Sequence, residues 1–188
     1  MLRMPLSEIP KDFPLKTSIM HAVDGPLEEV TVERICRRCG ISRSKFYGLF
    51  ASKYDIGHWY LTFVYDVSLG KIGRTLGWRE GIILCLSLMD EERTYFAHTS
   101  DTPEKVPNLF WLVRGDREDR VREILRERGV ALTPKLQIEI KAYAEIVDIL
   151  LREWVTMSRP CSCEDFADIW LECVPRELYE KLSPPKGR

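Results

Sequence analysis

The segment from Lys135 to about Met157 constrains the fold more than any other part of the chain. Its polar residues Lys141, Glu145, Asp148 and Arg152 recur at helical spacing and form a single stripe. Leu136, Ile140, Tyr143, Val147, Leu150, Leu151 and Trp154 take up most of the remaining circumference. A helix apolar over so much of its surface must be covered on more than one side. Other helices are the available cover, because no stretch of the chain shows period-two alternation bounded by hairpin turns. The expected fold class is all-α: an N-terminal three-helix head and a helical-bundle body.

The material for such a core is present. Of 188 residues, 45% are hydrophobic and 30% charged, an ordinary balance for a globular domain. The longest apolar run, Ile82 to Met89, falls far short of the roughly 18–20 residues of a membrane span. The first 14 residues lack the pattern of a secretory signal, so the six cysteines are expected to be thiols in a reducing cytoplasm.

Punctuation along the chain divides it into a loose arm (1–14), a head with a connecting helix (15–72) and a larger body (73–188). A first helix is expected from Leu15 to Val23, stopped by Asp24-Gly25-Pro26. Thr31 can cap a helix through Cys39, with Gly40 as its C-terminal stop. Ser42 can cap a second through about Phe50. Ser52 and Asp55 resemble a capping box that opens a long helix to about Lys71. In the body, Glu80–His98 reads as mostly helical and 99–108 as a polar loop. Asp116–Arg128 reads as a solvated helix with a narrow stripe of Val121, Ile124 and Leu125. Ser162 and Asp165 cap a helix that places Phe166, Ile169, Trp170 and Cys173 on one face. Beyond Pro175, Leu178 and Leu182 are expected to point inward.

The stretch Thr31 to Lys53, TVERICRRCGISRSKFYGLFASK, carries the functional signal. Two short capped helices joined through a glycine turn are what a helix-turn-helix requires, with Ile35, Ile41, Phe46 and Phe50 holding the angle between them. From Thr31 to Tyr54 six basic residues (Arg34, Arg37, Arg38, Arg43, Lys45, Lys53) face only Glu33, a local charge of +5. The chain as a whole carries −1. A basic head on an acidic body is the electrostatic footprint of nucleic-acid binding.

The phrase T-V-x-x-I-x-x-x-x-G-I-S-R-S-x-F-Y-x-x-F-x-S-K resembles the N-terminal signature of the tetracycline-repressor (TetR) family. That resemblance implies a transcriptional regulator, by family default a repressor, that binds double-stranded DNA at a palindromic operator as a homodimer. Arg43, Ser44 and Lys45 would then face base edges and nearby phosphates, with Arg43 suited to bidentate pairing with guanine. Thr31, Tyr47 and Lys53 would hold phosphates. Gly48 and Leu49 depart from the larger or polar residues common at those positions. The resemblance also implies a small-molecule effector in the body, for which Phe96, Phe110, Trp111, Tyr143 and Trp154 are candidate lining residues. Dimerisation is expected through the helix Lys135–Met157 and the helix after Ser162.

Other chemistry is only weakly signalled. Cys36-Arg37-Arg38-Cys39 has no second CxxC or nearby His to complete a metal site, and packing in the head is the simpler role. His21, His58 and His98 fall on three different helices without a recognisable nucleophile beside them. Neither a cofactor nor an enzymatic activity is therefore expected. The alternatives are a helix-turn-helix protein that has become a protein-interaction module and, further off, a thiol-based redox or metal sensor.

Overall fold

The computed structural model describes residues 10–100, 110, 113–157 and 161–183. Among them the chain is all-helical, without a strand; the nearest approach to one is an isolated bridge between Ile72 and Leu76. The helices are α1 (Phe13–His21), α2 (Val32–Cys39), α3 (Arg43–Tyr47), α4 (Asp55–Val67), α5 (Trp78–Glu91), α6 (Arg93–Ser100), α7 (Arg114–Glu127), α8 (Pro134–Thr156), α9 (Cys163–Glu172) and α10 (Arg176–Leu182). No helix is long and apolar enough among the described residues to cross a membrane.

Local chemistry sets most of the boundaries. Thr31, Ser42, Thr133 and Ser162 each accept the backbone N–H three residues on, and Asp165 returns a bond to the Ser162 N–H. Helix α1 begins at Phe13 rather than Leu15, because Pro14 fits the first turn, where its missing N–H costs nothing. The connecting helix is shorter than its sequence suggests. It ends at Val67, where Ser68 (φ −123°, ψ −92°) leaves the helical region, and Leu69–Lys71 form a 3-10 turn. The segment Glu80–His98 is broken at Glu92, and α6 runs on through Ser100 into the stretch expected as a loop. Residues 101–108 of that loop lie outside the described residues, as do 1–9 of the N-terminal arm.

Head and body share one connected apolar core. In the head, Ile19, Met20, Ile35, Phe46, Phe50 and Ile56 are buried together, while Ile41 is only partly covered. Helix α4 joins the two parts: the Tyr60 hydroxyl donates to Leu88 O at 2.9 Å, and its ring meets Phe96 at 5.8 Å. In the body α8 packs against α5, α6, α7 and α10, the many-sided cover that its sequence requires. Helix α5 is also held tightly against the 3-10 turn. A Cβ on Gly81 would meet Ile72 Cγ1 at 2.6 Å, and Ile72 is itself buried. Gly81→Val is therefore expected to cost about 2 kcal/mol by overpacking, read as a lower denaturation midpoint.

Within the polar stripe of α8, Asp148 is buried and paired with arginines of α7. One expectation about faces is corrected. On α9, Phe166 and Trp170 point inward, but Ile169 and Cys173 are exposed, because α5 covers the helix on one side only. Leu178 and Leu182 are buried as their spacing suggested.

Candidate nucleic-acid interface

The surface of interest is built from α2, its turn and α3. Thr31 Oγ1 accepts from Arg34 N at 3.2 Å, and Ser42 Oγ from Lys45 N at 3.1 Å, so both helices start on a satisfied cap. Gly40 sits at φ +65°, the left-handed conformation that ends α2 and redirects the chain into α3. Its N–H and that of Ile41 bond back to carbonyls of α2's last turn. Phe46 turns fully inward and anchors α3 against Phe50 at 5.8 Å. The opposite side of α3 is thereby presented to solvent. Arg43, Ser44 and Lys45 are exposed there, and Tyr47 is 48% exposed with its ring edge-on to Phe46.

The basic residues of this region are not equivalent. Arg34 and Arg38 both pair with Asp24, at 2.6 and 2.5 Å, and Arg37 pairs with Glu33 at 3.1 Å. Against the desolvation of its site, the Arg34 hydrogen bond and the charges of Arg34 and Arg38 hold the Asp24 carboxyl below its usual range. Asp24 lies outside the 31–54 window, so the +5 counted there overstates the free charge. Arg43 and Lys45 make no ion pair among the described residues, and the uncompensated charge is therefore concentrated on α3.

Lys53 departs from the role expected of it. Its ammonium donates to the carbonyls of Leu27, Val30 (3.0 Å) and Glu28 (3.4 Å), tying the α1–α2 connection to the start of α4. The group expected to hold phosphate is thus engaged with the main chain. Lys53→Met, which keeps the stem and removes the charge, is expected to lower stability by about 1–2 kcal/mol. Arg43→Ala, at an exposed and unpaired position, should leave stability within about 0.5 kcal/mol. Equal denaturation midpoints for the two variants would show that the Lys53 contacts contribute nothing to the fold.

No protein-family model matches the chain, and no curated protein matches it. The site therefore rests on its own residues.

The remaining site residues are distributed through the body. Phe96 and Phe110 are buried together, 6.0 Å apart. Tyr143 lies elsewhere, edge-on to Trp78 at 5.6 Å. Trp154 is buried with its Nε1 donating to Leu86 O at 3.2 Å, and its ring meets Phe166. Trp111 lies outside the described residues. A narrow void, too constricted for a water-sized sphere, is lined by Tyr65, Arg117, Val121, Ile140, Tyr143 and Val147.

Reading the sequence by segments missed the group beside that void. Arg117 (4% exposed) donates to Asp148 (7% exposed) and to Phe110 O at 2.9 Å. Arg114 bridges Asp148 at 2.7 Å and Glu145. Burial pushes the Arg117 guanidinium down to about 10, still well above neutrality, so Arg117 is charged at pH 7. The signal available in the sequence was one acidic residue, Asp148, set between Val147 and Ile149.

The cysteines of the CxxC are unequal. Cys36 is buried, whereas Cys39 is partly exposed and its thiol donates to Ser18 O at 3.4 Å. Desolvation raises the Cys39 thiol above its ordinary value, which disfavours the thiolate that redox or metal chemistry needs.

Proposed function

We propose that the chain is a sequence-specific DNA-binding transcriptional regulator of the tetracycline-repressor type, acting in the cytoplasm as a repressor. The observation that carries this reading is the division of α3 into two faces. Phe46 is fully buried, while Arg43, Ser44, Lys45 and Tyr47 stand exposed on a short capped helix after a left-handed glycine. That arrangement suits a recognition helix entering the major groove, with α2 across the backbone. Thr31 supports a phosphate contact, because its oxygen accepts the cap bond and leaves its hydroxyl hydrogen free to donate.

A palindromic operator calls for a two-fold homodimer. The support is apolar surface left on α8 and α9, where Ile138 is 68% exposed and Ile149 and Ile169 are each 50% exposed. Effector control of operator affinity belongs to the same reading. The ligand would open the void beside Arg117, whose Nε has no hydrogen-bond partner among the described residues, and bias α4 through Tyr65. The test is selection of genomic fragments by the purified protein across a salt series, with sedimentation to give its assembly state. Enrichment of a palindromic site whose binding falls steeply with salt is the expected result. A monodisperse monomer that enriches no sequence at low salt would overturn the proposal.

A further inference from the structure

The two residues of the recognition segment that depart from the family pattern, Gly48 and Leu49, form a distinct surface feature. Together with Ser42, Ser44 and Lys45 they line a shallow hollow of about 370 Å³ on the flank of α3. Leu49 is partly buried and supplies an apolar wall, while Gly48 is exposed and leaves the floor without a side chain. The fold does not require glycine there. Gly48 has φ −76° and ψ −14°, open to any residue, and a Cβ would meet only Ser44 O at 3.4 Å and Lys45 O at 3.5 Å, ordinary contacts. Glycine in such a conformation gives up stability that alanine would keep. Its effect is to hold the hollow open.

We infer that this hollow reads thymine, taking its 5-methyl group against Leu49 over Gly48. The inference rests on the DNA-binding reading above and specifies what that surface discriminates. In the major groove thymine presents a methyl group beside the O4 acceptor, whereas cytosine presents an N4 donor and no methyl. The hollow offers both halves of the first pattern: Leu49 as an apolar contact for the methyl, and Lys45 and Ser44 as donor-bearing residues of the same lining for O4. Cytosine would bring its amino donor toward the Lys45 cation and offer no methyl to Leu49. Gly48 lets the base edge approach the helix more closely than any side chain would allow.

The test uses the full-length protein and a duplex selected from random DNA, in which each thymine of a half-site is replaced in turn by deoxyuridine. This change removes only the methyl group. One position per half-site is expected to lose about four-fold in affinity, the value of one buried methyl. In Gly48→Ala the added methyl stands in the path of the base edge over position 48 and keeps the thymine methyl from Leu49, so binding to the thymine duplex falls by a similar factor and the deoxyuridine penalty at that position disappears. The thermal midpoint of this variant should be unchanged or higher. Specific binding in which every deoxyuridine substitution is silent, or a penalty that persists in Gly48→Ala, overturns the inference and leaves the DNA-binding reading standing. Failure of the wild-type protein to select any sequence removes both.

Discussion

Asp148→Ala is expected to lower the unfolding free energy by about 3–5 kcal/mol, the largest effect of any single change considered for this protein. Asp148 and Arg117 are buried together, and among the described residues the carboxylate is the guanidinium's only anionic partner at hydrogen-bond distance. Removing it leaves a charge in a medium that solvates it poorly, with Phe110 O as its remaining acceptor. Arg114 suffers less, because it is partly exposed and keeps Glu145. Replacing both partners, as in Arg117→Met with Asp148→Leu, should recover most of the loss, since the cost comes from an unpaired charge. Equilibrium denaturation of the two single variants and the double variant measures this. Full additivity of the single losses would show that the two residues are not coupled.

Arg43→Ala is expected to weaken binding to the selected operator by about 10–100-fold, the worth of a bidentate guanidinium–base contact. The loss should be much smaller for non-specific DNA, where a single exposed arginine contributes only one phosphate neutralisation. Arg37→Ala provides the internal comparison. Arg37 is also exposed, but it pairs with Glu33 on the outer face of α2, so its removal should change both affinities alike and only slightly. Titration of each variant with operator and with random duplex at two salt concentrations separates the cases. Equal losses on both duplexes in Arg43→Ala would move Arg43 from base reading to backbone attraction.

The parts of the structure that were legible beforehand share one property: their causes lie within a few residues along the chain. Thr31, Ser42, Thr133 and Ser162 cap helices through bonds to the third residue on, and Gly40 ends α2 because of its own φ. The inward turn of Phe46 and Phe50 and the outward exposure of Arg43, Ser44 and Lys45 follow from periodicity over a single turn. The features that were not legible have causes distant in the chain. Arg34 and Arg38 were counted as free charge, but their counter-ion, Asp24, lies in the loop before α2. Lys53, expected at a phosphate, has carbonyl acceptors at Leu27, Glu28 and Val30, on the far side of two helices. Phe96 packs on Phe110 while Tyr143 meets Trp78, contacts that only the packing decides.

By itself, then, the sequence determined the helical class, most of the helix starts, the left-handed turn at Gly40 and the identity of the residues exposed on α3. Hydrogen bonds and steric limits acting over one turn of chain are enough for that. The tertiary structure alone decided which charges are free, where the polar stripe of α8 is broken, and what lies beside the narrow void in the body. Asp148 has the same local surroundings whether it faces water or protein; α7 buries it by bringing Arg117 across from another helix. A charge takes its state from the dielectric and the counter-ion around it. Both are set by residues distant in the chain, so periodicity carries no record of them.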